Sequence, residues 1–274
     1  MTAPAAGRGT LHAAVSLRPR PAPPGMLPAS LTFGWRALLK IRHVPEQLAD
    51  VIGIPLLFTL MFTYLFGGAL AGSPHAYLQF LLPGSLALAV LFLTVYSGIT
   101  LNRDLSAGTF GRFRSLPIRR AAPIAGGLLG DAGRYLLASA LVIGLGLAIG
   151  FHPRGGTAGV LAAVGLVVVF ASSLSWAWIA LGLILRTPSA VMSAGFTLLF
   201  PLTFISNIFV PPLTMPPWLR AAARLNPVTH LVTASRGLMS GTATAGQVEQ
   251  ALAAAAALTA LFAPLALRLY RNKH

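Results

Sequence analysis

The sequence contains no cysteine and few acidic residues: five Asp and Glu stand against 20 Lys and Arg in 274 residues. Charged residues make up 9% of the chain, far below the roughly 25% of a soluble domain. The missing cysteines exclude a disulfide-stapled secreted domain. The 55% hydrophobic content excludes a disordered tail and an ordinary soluble enzyme. The net charge of +15 would suggest a nucleic-acid partner if it were taken alone.

The sequence also lacks the motifs of common catalytic and cofactor sites. No glycine-rich phosphate loop ends in Lys-Ser or Lys-Thr, no His-Glu-x-x-His occurs, and the six histidines are scattered. We therefore predict no catalytic residue, no cofactor-binding residue and no metal site in this chain.

Six apolar runs are long enough to cross a hydrocarbon core of about 30 Å as helices that rise about 1.5 Å per residue. They lack the short alternating pattern of a membrane barrel. Residues 1–28, rich in Ala and Pro, are predicted to form a flexible cytosolic tail, and residues 29–274 a transmembrane domain. The predicted fold is all-α and polytopic, with spans at about residues 51–70, 77–99, 133–151, 158–185, 190–209 and 251–267.

The distribution of basic residues predicts the orientation of these spans. Six spans place both termini on one side of the membrane, and 16 of the 20 Lys and Arg fall on that side. Cytoplasmic loops carry the excess of Lys and Arg, so we predict cytoplasmic termini in the cell membrane. The cations then face the anionic inner leaflet rather than nucleic acid. Four arginines fall on the outer side: Arg154, Arg220, Arg224 and Arg236.

Two segments outside the spans have the character of interfacial structure. Residues 31–48 place apolar side chains opposite Arg36 and Lys40 on a helix, which predicts an interfacial helix; a basic flank of the first span is the alternative. Residues 210–250 begin with four prolines, which end the fifth span, and then offer two short helices. Trp218 suits an interface anchor, so we predict an outer re-entrant or surface hairpin here.

The long inner loop, residues 101–134, combines arginines with Leu105, Phe110, Phe113 and Leu116. Basic residues alone would be enough to orient the spans in the membrane, so the apolar residues need another explanation. Apolar anchors beside guanidinium groups suit a protein-docking surface, because aromatics fill pockets and Arg pairs with carboxylates. A basic loop that faces lipid is the alternative.

A few polar residues lie within the predicted spans. Asp131 and Arg134 have helical i, i+3 spacing, which fits an ion pair at the membrane edge or a coupling role. A transport path can be lined by hydroxyl and amide groups, although the same groups can bond to their own helix backbone. The candidates for such a path are Ser175, Thr203, Ser206 and Asn207.

The order of these features resembles the permease subunit of type-2 ABC transporters, and in particular its daunorubicin-resistance branch. The resemblance covers roughly residues 30–270. It rests on Arg42-His43-Val44-Pro45, Phe66-Gly67-Gly68, Pro83-Gly84, Gly108-Thr109-Phe110-Gly111-Arg112-Phe113-Arg114-Ser115-Leu116-Pro117, Ser206-Asn207-Ile208-Phe209-Val210-Pro211 and Asn226-Pro227. Gly111 departs from the branch, which tends to have an acidic residue there.

The resemblance implies an ATP-driven exporter of a hydrophobic or amphipathic compound. It implies a coupling helix that docks on a separate ATPase subunit, which binds ATP and Mg, and a permease homodimer with the path between its copies. A proton-coupled secondary transporter, a membrane-embedded enzyme and a membrane anchor are the rivals, and a lipid or glycan cargo stays open. The coupling residues would be Gly108, Thr109, Arg112, Phe113, Arg114, Pro117 and Arg120.

Overall fold

The computed structural model describes residues 45–106 and 122–272. These ranges contain eight α-helices, one 3-10 turn at Pro212–Thr214 and no β-strand. The helices are α1 (Pro45–Ala71), α2 (Pro74–Ser106), α3 (Ala122–Ala148), α4 (Gly156–Ile184), α5 (Pro188–Phe204), α6 (Pro217–Leu225), α7 (Pro227–Ser240) and α8 (Ala245–Asn272).

Local sequence signals set several helix boundaries. Gly72 takes a φ of 75° after α1, a conformation that favours glycine, and Pro74 begins α2. The Ser73 hydroxyl accepts a hydrogen bond from the third helical N–H at 3.1 Å. Thr187 and Asn226 cap α5 and α7 in the same manner, each followed by a proline. These boundaries therefore follow from the residues beside them.

Helix α2 forms the centre of the bundle and packs against α1, α3, α4, α5 and α7. It approaches α4 closely at Gly98, which faces the backbone of α4. A Cβ added at Gly98 would lie 2.2 Å from the carbonyl oxygen of Trp178, so this approach requires glycine. The Trp178 indole also donates to the Thr94 hydroxyl of α2 at 2.7 Å. Small residues, together with polar contacts such as this one, thus fix the central pair of helices.

The bundle has two distinguishable ends. At the loop end, which includes the helix termini that flank residues 107–121, the Asn102 amide of α2 donates to the Leu185 carbonyl after α4 at 2.8 Å. At the hairpin end, which contains α6 and α7, Gln79 of α2 donates to the Gly150 carbonyl at 3.0 Å. The Gly155 N–H there donates to the Met239 carbonyl at 2.9 Å.

Within the described ranges, four helices are long and apolar enough to cross a membrane: Pro74–Ser106, Gly126–Ala148, Gly156–Ile184 and Ala245–Asn272. Two apolar helical stretches are shorter, Leu56–Ala71 and Pro188–Phe204. The described part of the chain is therefore all-helical and has the several long apolar helices of a polytopic membrane protein, as predicted.

The fifth apolar segment differs from its predicted extent of residues 190–209. Helix α5 ends at Phe204, and the side chain of Asn226 caps its C-terminus. The Asn226 amide donates to the carbonyls of Leu202 at 2.6 Å and Ile205 at 3.2 Å. The two short helices predicted after it are present as α6 and α7, and α7 closes at Gly241 with a φ of 75°.

The predicted interfacial helix, residues 31–48, lies outside the described residues except for residues 45–48, which begin α1. The predicted tail, residues 1–28, also lies outside them.

Candidate functional site

The seven predicted coupling residues lie between α2 and α3, outside the described ranges. The helix termini around them are described, and a small buried cluster joins these termini. It includes Ile179 and Leu183 of α4 and Tyr270 of α8, with Leu105 of α2 and Leu128 of α3 packed against it. The loop end of the bundle is therefore a packed platform that holds the helices on both sides of residues 107–121.

Basic side chains surround this platform. Arg103, Arg186, Arg268 and Arg271 are all exposed at the loop end. Exposed guanidinium groups suit pairing with carboxylates or phosphates, whether of a protein or of anionic lipid.

A buried polar network connects α2, α3 and α4 inside the bundle. Asp131 of α3 is 6% exposed and forms an ion pair with Arg134 on the same helix. The Ser97 hydroxyl of α2 donates to the other carboxylate oxygen of Asp131. The Tyr135 hydroxyl lies 2.8 Å from the Ser175 hydroxyl of α4 and 3.3 Å from that of Ser97. One set of side chains thus links three helices.

The direction of the bond between Tyr135 and Ser175 follows from the single proton that each hydroxyl can donate. The Ser175 hydroxyl donates its proton to the Ala171 carbonyl at 2.8 Å, so the Tyr135 hydroxyl must donate to Ser175.

A second polar centre lies at the hairpin end, around Arg236 of α7. Its guanidinium donates to the carbonyls of Phe80 and Asn207, each at 3.0 Å, and lies 3.8 Å from the centre of the Phe80 ring. Burial lowers the pKa of Arg236 to about 10, and the electrostatic interaction with the nearby Tyr77 opposes this shift. The side chain therefore stays positively charged at neutral pH. It fastens the hairpin to α2 through backbone oxygens and an aromatic face.

The four predicted path residues fall into two places. Ser175 belongs to the network with Tyr135, whereas Thr203, Ser206 and Asn207 lie where α5 meets the hairpin. All four side chains are buried within the chain, at 3% exposure or less. The hydroxyls of Ser175, Thr203 and Ser206 donate to carbonyls near them in sequence. The side-chain amide of Asn207 donates to Thr233 of α7 at 2.8 Å, and its Oδ1 atom has no partner among the described residues.

Sequence reasoning noted Asp131 and Arg134 but missed Ser97, Tyr135 and Asn102. The spacing of Asp131 and Arg134 within one helix is readable along the chain. Ser97 and Tyr135 are single polar residues in apolar runs, and their partners lie 34 and 40 positions away. Asn102 was hidden beside Arg103 and Asp104, which look like the polar end of a span.

The family comparison decides what kind of protein this bundle is. The sequence model described as "ABC-2 type transporter" matches residues 29–240, most of the chain and nearly all of its described helices. The chain belongs to the ABC-2 type transporter family. As an ABC-2 permease, it is the membrane-embedded transport subunit of an ABC exporter.

Relatives of this ABC-2 permease carry drug-resistance names. It is 48% identical over 266 residues to a "Daunorubicin resistance ABC transporter permease protein DrrB1" from Streptomyces coeruleorubidus, across 97% of this chain and 94% of the relative. It is 26% identical over 227 residues to a "Probable doxorubicin resistance ABC transporter permease protein DrrC" from Mycobacterium tuberculosis (strain ATCC 25618 / H37Rv). That match spans 80% of this chain and 82% of the relative. The resemblance to the daunorubicin-resistance branch is therefore confirmed.

Proposed function

We propose that this ABC-2 permease moves a hydrophobic or amphipathic compound, of the drug or natural-product class, out of the cell. The observation that carries the proposal is the 48% identity to a permease named for daunorubicin resistance, across nearly the full length of both chains. The apolar interior, with scattered hydroxyl groups and few charges, suits such a cargo better than an ion or a sugar.

The proposed topology has six spans in the plasma membrane with both termini in the cytoplasm. Helices α1 and α5 supply the first and fifth spans, in addition to the four longer helices. At about 1.5 Å per residue the 17 residues of α5 reach about 25 Å, less than the hydrocarbon thickness of about 30 Å. The hairpin would fill the part of the membrane thickness that α5 does not reach. Helix α7 packs against α2, α4 and α8 and buries eight of its residues. A re-entrant hairpin on the outer side explains both observations.

Orientation follows from the two ends. The exposed arginines Arg103, Arg186, Arg268 and Arg271 would lie on the cytoplasmic side, together with the basic segment between α2 and α3. The hairpin end, with Arg220 and Arg224, would lie outside.

The energy would come from a separate ATPase subunit, which holds ATP and Mg. Its docking surface would be the segment 107–121, with contacts from Gly108, Thr109, Arg112, Phe113, Arg114, Pro117 and Arg120. This chain would contribute no catalytic group, only two packing arrangements whose balance the partner changes. Two permease copies would enclose the path, and Ser175, Thr203, Ser206 and Asn207 would offer polar groups along it.

A mild-detergent pull-down from the native host tests the partner and its docking surface together. We expect a soluble protein with a phosphate-binding loop in stoichiometric amount, and we expect Phe113→Asp to lose it. A carboxylate there would repel an acidic pocket and could not fill an apolar one. The matched control is Leu213→Asp, which places the same charge on an exposed side chain at the opposite end of the bundle.

Two results would contradict the proposal. A chain that comes down alone, under conditions that preserve other membrane complexes, would remove the ATPase partner. Transport that persists without an ATPase but collapses with the proton gradient would identify a secondary transporter instead. A third result would contradict only the proposed cargo. The ATPase would co-purify, and the complex would move a lipid or glycan in an ATP-dependent way but not daunorubicin.

A further inference from the structure

The network around Asp131 contains more partners than a simple ion pair needs. Arg134, one turn away on α3, already balances the charge of Asp131. The carboxylate nevertheless also accepts from Ser97 on α2, and Tyr135 extends the connection to Ser175 on α4. These extra bonds cross between helices, so they restrain how the helices lie relative to one another.

The contact between Ser97 and Asp131 lies at the same distance from the loop end on both helices. Ser97 lies nine residues before α2 ends at Ser106, and Asp131 lies nine residues after α3 begins at Ala122. At about 1.5 Å per residue, the contact lies about 13 Å from the loop end of each helix. The bond therefore joins the two helices that bracket residues 107–121 at the same depth in the bundle.

Breaking this contact is unfavourable. A buried carboxylate that loses a donor is left with an unsatisfied oxygen in apolar surroundings, where water cannot replace the lost hydrogen bond. Sliding α2 along α3 would separate Ser97 from Asp131, whereas moving the two helices together would not. The network thus favours joint movement of α2 and α3, and the bond from Tyr135 adds α4 to the same body.

We propose that Asp131 is a positioning residue for transport: with Ser97 and Tyr135 it holds α2, α3 and α4 as one body. A displacement at residues 107–121 then reaches the hairpin end instead of being absorbed by sliding between α2 and α3. This inference rests on the proposed function, in which a partner ATPase acts on that segment.

The test compares three variants in the permease–ATPase complex, reconstituted in lipid vesicles. Ser97→Ala and Asp131→Asn each weaken the contact between α2 and α3. Ser139→Ala is the matched control, because Ser139 is equally buried on α3 but donates to the Tyr135 carbonyl of its own helix. The measured quantities are complex yield, ATP hydrolysis, and daunorubicin moved per ATP, followed by its fluorescence.

We expect Ser97→Ala and Asp131→Asn to assemble and hydrolyse ATP like the wild type, while daunorubicin moved per ATP falls at least about fivefold, the lower bound of typical coupling effects. Ser139→Ala should match the wild type in all three quantities. A parallel fall of yield, hydrolysis and transport would reveal a merely structural role and overturn the proposal. An unchanged ratio of transport to hydrolysis would overturn it as well.

A rescue experiment uses the absence of native cysteine. In a chain with Ser97→Cys and Asp131→Cys, transport per ATP should be low, and a short bifunctional thiol reagent should restore it by rejoining the helices. Loss of the remaining transport on cross-linking would mean that α2 and α3 must separate during the cycle, which contradicts the proposal.

A measurement that needs no cargo distinguishes failure of the proposed role of Asp131 from failure of the proposed function. Thiol labelling of Leu213→Cys, exposed at the hairpin end, should change its rate on ATP addition in the wild-type background and not with Asp131→Asn. If ATP changes the labelling equally in both, the Asp131 inference fails while ATP-driven movement stands. If ATP changes it in neither and no ATPase co-purifies, the proposed function fails and the inference fails with it.

Discussion

Helices α2 and α8 are both long and apolar enough to cross a membrane, yet they occupy opposite environments in the bundle. In the most apolar stretch of α2, 83% of the residues are buried against the rest of the chain, compared with 11% in α8. Helix α2 contacts five other helices, whereas α8 packs against α4 and α7. Hydropathy alone therefore does not distinguish a helix that faces protein from one that faces outward.

The difference between the two helices lies in small and polar residues. Gly98 lets α2 touch the backbone of α4, and Ser97 and Asn102 bond to residues of α3 and α4. On α8, Leu252, Leu261, Leu265 and Leu267 are exposed. Lipid tails are as apolar as leucine, so helices in a membrane gain little from apolar burial as such. Close packing and hydrogen bonds decide which helix becomes central.

The largest expected effect is that of Gly98→Ala. Its new Cβ would lie 2.2 Å from the Trp178 carbonyl oxygen, so α2 and α4 must separate. We expect a loss of about 3 kcal/mol or more, at the upper end of overpacking effects, seen as loss of monodisperse protein in detergent. The control, Gly246→Ala on α8, meets nothing within 4 Å and should be neutral or stabilising. Equal behaviour of the two variants would refute the central position of α2.

The second comparison uses leucine truncation. Leu86 of α2 is fully buried, at 0% exposure, and Leu261 of α8 is 64% exposed. Leu→Ala costs about 2–5 kcal/mol in soluble cores, but the transfer part is smaller when the alternative solvent is lipid. We therefore expect the lower half of that range for Leu86→Ala and a much smaller loss for Leu261→Ala. Thermal unfolding of both variants in the same detergent measures this, and a larger loss at Leu261 would contradict the assignment.

The smallest effect in this series concerns Asn102, whose amide donates to the carbonyls of Gly182 and Leu185, both at 2.8 Å. These carbonyls lie at the C-terminus of α4, where helix partners run out. Asn102→Leu should cost about 1–2 kcal/mol and free that terminus, seen as faster hydrogen exchange near Leu185. Gln250→Leu, an exposed amide on α8, provides the comparison and should change neither quantity.

Much of the helix arrangement is predictable because its causes are local. The residues of all six apolar segments are helical except at the ends of the third, fourth and fifth, and prolines, Asn226 and Gly241 mark the hairpin helices. The early end of α5 was not predictable, because the side chain that caps it lies more than 20 residues away along the chain. Among the candidate site residues, Ser175 could be named from its residue type, but its partner Tyr135 could not.

The sequence by itself determined that this chain is a polytopic helical membrane protein with most of its cations on one predicted side. Hydropathy, helix caps and the distribution of charge are local properties of the sequence, so they can be recognised without the three-dimensional structure. The tertiary structure decided that α2 is the centre, that Asp131 joins α3 to α2 while Tyr135 joins α3 to α4, and that Arg236 fastens the hairpin to α2. These outcomes depend on contacts between residues that are distant along the chain. The apolar segments that contain these residues are similar in hydropathy, and only their packing distinguishes them.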